Sequence, residues 1–91
     1  LVPPRTYFEK IQAVLKKYDV LFIADEVVTG FGRTGQPFAT NTFGLSPDTM
    51  TLAKALTSSY QPLSAVILPE KMYAPIAEAG RKLGTIGHGY T

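Results

Sequence analysis

Two residues of this chain carry side chains whose types and settings could do chemistry together. Asp25 closes the apolar run Leu21-Phe22-Ile23-Ala24, and Lys54 sits within Leu52-Ala53-Lys54-Ala55-Leu56, a stretch without acids. A carboxylate leaving a fully apolar strand calls for a cationic partner. At contact such a pair is worth roughly 4 kcal/mol at an effective dielectric near 20. A lysine flanked by Leu and Ala is expected to be partly buried, which lowers an amine's pKa and makes it a better nucleophile. A carboxylate against a pyridine nitrogen and an amine that forms a Schiff base with an aldehyde are the two attachments that pyridoxal phosphate needs. A turn or helix-cap acid remains open for Asp25, and a solvated surface charge for Lys54.

Other residues were weighed beside these two. Glu26 follows Asp25 directly, but neighbours on a strand point to opposite faces, so the two acids do not converge on one atom. Gly30-Phe31-Gly32-Arg33-Thr34-Gly35 matches the dinucleotide pattern G-x-G-x-x-G. That pattern should open a helix directly after a strand and be followed by an acid about 20 residues on. Here Glu26-Val27-Val28-Thr29 intervenes and Asp48 comes too early, so the glycines are assigned to tight turns and close backbone packing. A nucleotide-binding oxidoreductase using Gly30, Gly32 and Gly35 is the competing reading. His88 is the only histidine and the chain has no Cys, which makes a zinc site improbable. Tyr90 and Thr91 carry hydroxyls suited to a phosphate, with ordinary turn chemistry as the simpler reading.

The elements that must position these groups can be read from periodicity. Phe8, Ile11, Val14 and Leu15 predict an amphipathic helix over Thr6 to Lys17, with Thr6 and Glu9 as a capping box. Val20 to Ala24 predicts a strand buried on both faces, as in a parallel sheet, with Asp25 at its carboxyl end. Gly30 to Ser46 lacks a sustained period and predicts a long functional loop. Thr49 to Leu52 and Ala65 to Leu68 predict short strands. Glu70 to Gly80 predicts a helix whose Pro75 belongs in its first turn or kinks it. The order is that of an α/β fold.

The bulk properties narrow the class. At 91 residues the chain is at most one small domain. Its opening Leu1-Val2-Pro3-Pro4 and its ending after a glycine-rich run read as a fragment. Nine Lys and Arg against seven Asp and Glu, without a basic patch, argue against a nucleic-acid partner. The apolar runs fall far short of the roughly 20 residues that span a bilayer. The lack of Cys and of a signal peptide pattern fits a reducing compartment such as the cytoplasm.

Taken together, Pro3-Pro4, Asp25-Glu26-Val27, Thr29 to Gly35, Pro47-Asp48, Leu52 to Leu56, Tyr60 to Val66 and His88-Gly89-Tyr90-Thr91 resemble the class III, or omega, aminotransferases of the fold type I pyridoxal phosphate enzymes. The resemblance covers essentially the whole chain. It implies that residues 1–91 are part of the large cofactor-binding domain, a mostly parallel sheet flanked by helices, with the small domain absent. It implies transamination from an amine or omega-amino acid to a keto acid such as pyruvate, through a Lys54 Schiff base with pyridoxal 5'-phosphate. Asp25 then pairs with the pyridine nitrogen, Val27 packs on one ring face, and Lys54 shuttles the proton. Thr91, with Tyr90 beside it, reaches the phosphate of the neighbouring subunit's cofactor in a homodimer or dimer-based tetramer. Tyr60-Gln61-Pro62 is closest to the omega-amino acid:pyruvate branch. Aminomutase, decarboxylase and racemase relatives share the same lysine and aspartate. The phosphate-cradling turn and the carboxylate-binding arginine of the family are missing from these 91 residues, so the chain alone is expected to be inactive.

Overall fold

The computed structural model describes residues 1–84, and their chain order is helix, strand, short helix, strand, strand, helix. Helix α1 spans Tyr7–Lys17. Strand β1 is Ile23–Asp25, and the short helix α2 is Ala39–Phe43. Strand β2, Thr49–Leu52, runs into a single 3-10 turn, Lys54–Leu56. Strand β3 is Ala65–Ile67 and helix α3 is Glu70–Leu83.

The strands form one sheet in the order β1-β2-β3. β1 and β2 are parallel, with Asp25 opposite Thr51, whereas β2 and β3 are antiparallel, with Thr51 opposite Val66. The α/β class holds, and the sheet over the described residues is mixed. Because side chains alternate along a strand, Ile23, Asp25, Thr51 and Val66 share one face, while Ala24, Met50, Leu52 and Ile67 share the other. Only Ala24 and Leu52 are buried apolar residues among those described. Ile23 and Val66 are each 61% exposed. The expected burial of β1 on both faces is therefore not met within these residues: Ala24 is buried but the Ile23 and Asp25 face lies open.

Local expectations fared unevenly. Thr6 makes no side-chain capping bond, because it already has helical backbone angles and its carbonyl accepts from Lys10 N–H at 3.2 Å. The Thr6 and Glu9 capping box is thus absent. Tyr7 N–H instead donates to the Pro4 carbonyl at 3.0 Å. β1 begins at Ile23, since the Phe22 backbone is taken up by Asp48: the Phe22 N–H donates to Asp48 Oδ2 at 2.9 Å and its carbonyl accepts from Asp48 N–H at 2.8 Å. The Gly30 to Ser46 stretch contains α2, which closes at Gly44 in the left-handed region at φ 61°. Phe43 of α2 packs on Phe8 of α1, with ring centroids 4.9 Å apart. Gln12 of α1 accepts from Ser46 N–H, just past α2, at 2.9 Å. α3 continues through Pro75 to Leu83, so the proline neither ends the helix nor stands in its first turn.

Candidate active site

The parallel pairing of β1 and β2 brings Asp25 and Lys54 to one edge of the sheet. Asp25 is the last residue of β1, and Lys54 lies two residues beyond the end of β2. A short carboxylate and a long amine thus lie at the carboxyl ends of adjacent parallel strands, where ligands of such sheets bind. Within the described residues they do not line a common cleft. Lys54 shares a shallow one with Ser59, Gln61, Pro62 and Leu63.

Asp25 is exposed, and its carboxylate is oriented by hydrogen bonds. Oδ1 accepts from Val27 N–H at 3.0 Å and from Thr51 Oγ1 at 3.1 Å. Asp25 forms no salt bridge among the described residues. Two donors on one oxygen fix the plane of the carboxylate and leave Oδ2 to face a further donor. This donor set fits a protonated ring nitrogen. Val27, half-buried, is tied to Asp25 through its own backbone N–H, so both move as one unit.

Within the described residues Lys54 is exposed, not partly buried: Leu52 is buried in the sheet, and Leu56 is half-buried at the end of the 3-10 turn. The chain reverses here through a left-handed backbone at Lys54, φ 49°, with Ser58 and Ser59 also left-handed at φ 51° and 67°. Non-glycine residues adopt this region at a cost of roughly 1–3 kcal/mol each, and such strain clusters at functional sites. Lys54 Nζ is thereby presented to open space at the sheet edge.

The buried carboxylate of this region is Glu26, which the sequence reading set aside. It is 2% exposed. Oε2 accepts from the Thr29 hydroxyl at 2.5 Å and from Ala39 N–H at 3.0 Å, while Oε1 accepts from Thr40 N–H at 2.7 Å. Burial pushes the Glu26 pKa up, but the hydrogen bonds from Thr29, Thr40 and Ala39 together outweigh it and hold the group below its ordinary value of 4.5. Phe38, the residue before α2, has no oxygen with which to cap Ala39 and Thr40, and Glu26 supplies that cap.

The glycine loop does not cradle an anion. Gly30 N–H donates to the Glu26 carbonyl at 2.9 Å, Gly32 N–H to Pro37 at 3.3 Å, and Gly35 N–H to Gly32 at 3.0 Å. With all three donors spent inside the loop, the dinucleotide reading loses its physical basis. Gly30 is there for close packing, since a Cβ would stand 2.9 Å from the Glu26 carbonyl oxygen and 3.3 Å from the Phe38 ring. Tyr90, Thr91 and His88 lie outside the described residues. Among the described residues no cluster of His, Cys, Asp and Glu could hold a metal, and no helix is long and apolar enough to cross a membrane.

Comparison with known proteins bears out the resemblance at family level. The profile of the family described as aminotransferase class-III matches residues 1–91, and the chain belongs to that family. It is 52% identical to a probable gamma-aminobutyrate transaminase 4 of Oryza sativa subsp. japonica, over 100% of this chain and 19% of the relative. Among solved structures, one described as a transaminase with L-ala is 57% identical, with a TM-score of 0.92 over 100% of this chain and 22% of that one. An omega transaminase from Pseudomonas jessenii in complex with PMP is 56% identical, with a TM-score of 0.92 over 99% of this chain and 20% of that one. The chain thus spans about a fifth of the length of these relatives.

Proposed function

We propose that the full-length protein carrying this chain is a pyridoxal phosphate-dependent transaminase, moving an amino group from an amine or omega-amino acid to a keto acid such as pyruvate. The observation that carries this reading is the placement of Asp25 and Lys54 at the carboxyl ends of neighbouring parallel strands. Support for the donor class comes from the likeness to a relative named for gamma-aminobutyrate, whose amine is remote from its carboxylate. Likeness to a transaminase structure described with L-ala, the amino acid that corresponds to pyruvate, supports the acceptor.

In this reading the cofactor, when bound, supplies the electron sink that acidifies the substrate carbon beside the nitrogen. Asp25 would accept a hydrogen bond from the ring nitrogen and hold it protonated, with Val27 N–H and Thr51 Oγ1 orienting the carboxylate. The Val27 side chain would pack on one ring face. Lys54 Nζ would anchor the cofactor and, once substrate takes its place, would carry the proton between the substrate carbon and the cofactor. Thr91, with Tyr90 beside it, is assigned to the phosphate of the neighbouring subunit in a homodimer or dimer-based tetramer. The cysteine-free composition supports a reducing compartment, and we assign the protein to the cytoplasm.

Borohydride reduction of the full-length protein after incubation with pyridoxal phosphate, followed by peptide mass mapping, tests the anchor. A pyridoxyl group on Lys54 is expected, and its loss in K54A. Absence of that adduct in folded, cofactor-loaded protein would overturn the assignment. Amino transfer from omega-amines to pyruvate, compared with 2-oxoglutarate, tests the acceptor, and turnover with 2-oxoglutarate alone counts against pyruvate.

A further inference from the structure

We infer that Glu26 is a positioning residue, whose buried carboxylate sets the backbone that presents Asp25 on one side of it and Val27 on the other. The inference rests on the reading of Asp25 and Val27 as ring contacts.

Glu26 uses every polar group it has. Its N–H extends the β1-β2 ladder, donating to the Thr51 carbonyl at 3.0 Å, and its carbonyl accepts from Gly30 N–H at 2.9 Å. Its carboxylate collects Thr29, Ala39 and Thr40. One residue therefore joins β2, the turn that follows Asp25, and the start of α2, which closes the intervening loop on a single anion. Phe38, one residue before α2, packs against Gly30 inside that closure. Thr51 binds both acids, its hydroxyl donating to Asp25 and its carbonyl accepting from Glu26. A turn of the backbone at Asp25 or Val27 would strain the bonds held by Glu26 between them.

All three side-chain partners of Glu26 are donors toward it, two of them backbone N–H groups that cannot reverse. An amide in its place turns an NH2 toward a donor or abandons one. Thr29, by contrast, can be tested with its hydroxyl kept or removed.

The test uses the full-length protein and two readouts: equilibrium binding of pyridoxal phosphate, and the visible-region circular dichroism of the bound cofactor, which reports the asymmetry of its setting. E26Q is expected to weaken cofactor binding by about tenfold, the size of effect that one unpaired buried donor produces, and to diminish the dichroic band. T29V is expected to move both in the same direction and T29S to restore them. Should E26Q fail to fold, the T29V and T29S pair carries the test. Wild-type affinity and an unchanged band in E26Q and T29V, beside impaired D25N and K54A, would overturn the positioning role alone. Unchanged behaviour of D25N and K54A as well would remove the cofactor reading and the inference with it.

Discussion

Thr51 faces Asp25 across the parallel strands, and its hydroxyl donates to the carboxylate at 3.1 Å while its backbone takes the next rung of the ladder from Glu26. The orientation of the aspartate is thus set by the neighbouring strand as much as by its own. T51V keeps the β-branched shape and removes the donor. In the full-length protein it should weaken pyridoxal phosphate binding several-fold, about 1 kcal/mol, with little change in melting temperature. T51S should retain wild-type affinity, and wild-type affinity in T51V beside a loss in T51S would show that the methyl group, not the hydroxyl, is what matters.

Glu26 should make stability depend on acid in a defined direction. Its folded pKa lies below the ordinary 4.5, so the unfolded chain binds the proton more readily. The stabilisation is complete above that ordinary value and drains away as the pH falls through the folded one. The stability gap between wild type and E26Q should be full near neutral pH and shrink under acid, as read from denaturant midpoints across a pH series. A gap that stays constant in acid would mean that folding leaves the proton affinity of Glu26 unshifted.

Two glycines in one loop should fail for different reasons. G30A drives a Cβ to 2.9 Å from a carbonyl oxygen that is already hydrogen-bonded, and should cost about 1–3 kcal/mol. G32A meets open space, but its φ of 95° strains any L side chain, for about 1–2 kcal/mol. Replacement of Gly32 by a D-alanine through chemical synthesis should relieve the second and not the first. Thermal melts of these variants decide the matter.

Asp48 should be worth more than its surface ion pair suggests. It is paired with Lys71, and its Oδ2 also accepts the Phe22 N–H at 2.9 Å, where the chain enters β1. These contacts, with the Lys71 hydrogen bond foremost, hold its pKa below the ordinary carboxylate value. D48A should therefore lower the melting temperature more than K71A, and added salt should narrow the K71A effect while leaving most of the D48A effect. Equal losses would assign the whole role to the ion pair.

What could be read from the amino acids alone follows the range of the forces involved. Ile23-Ala24-Asp25 and Thr49 to Leu52 were legible because each strand shows its pattern within a few residues, and Asp25 and Lys54 follow from where those strands end. Helix α2 was not, because its cap is Glu26, far back along the chain, and capping signals are sought next to the helix they serve. The Thr6 and Glu9 pattern misled for the opposite reason: it is locally complete, yet Thr6 itself took helical angles. The surroundings of Lys54 are not legible from its apolar neighbours in sequence, because its left-handed backbone reverses the chain there.

The register of β1 on β2 also acts as a ruler. The position of the aspartate against β2 is counted along a hydrogen-bonded ladder from Ile23 opposite Thr49 to Asp25 opposite Thr51, not along the residues that connect the two strands. Length changes in the connection around Thr34 to Pro37, between the Glu26 closure and α2, are therefore insulated from that register. A single residue inserted within β1 would turn Asp25 to the opposite face. The connection is where such a fold can vary its surroundings while its chemistry keeps its measure.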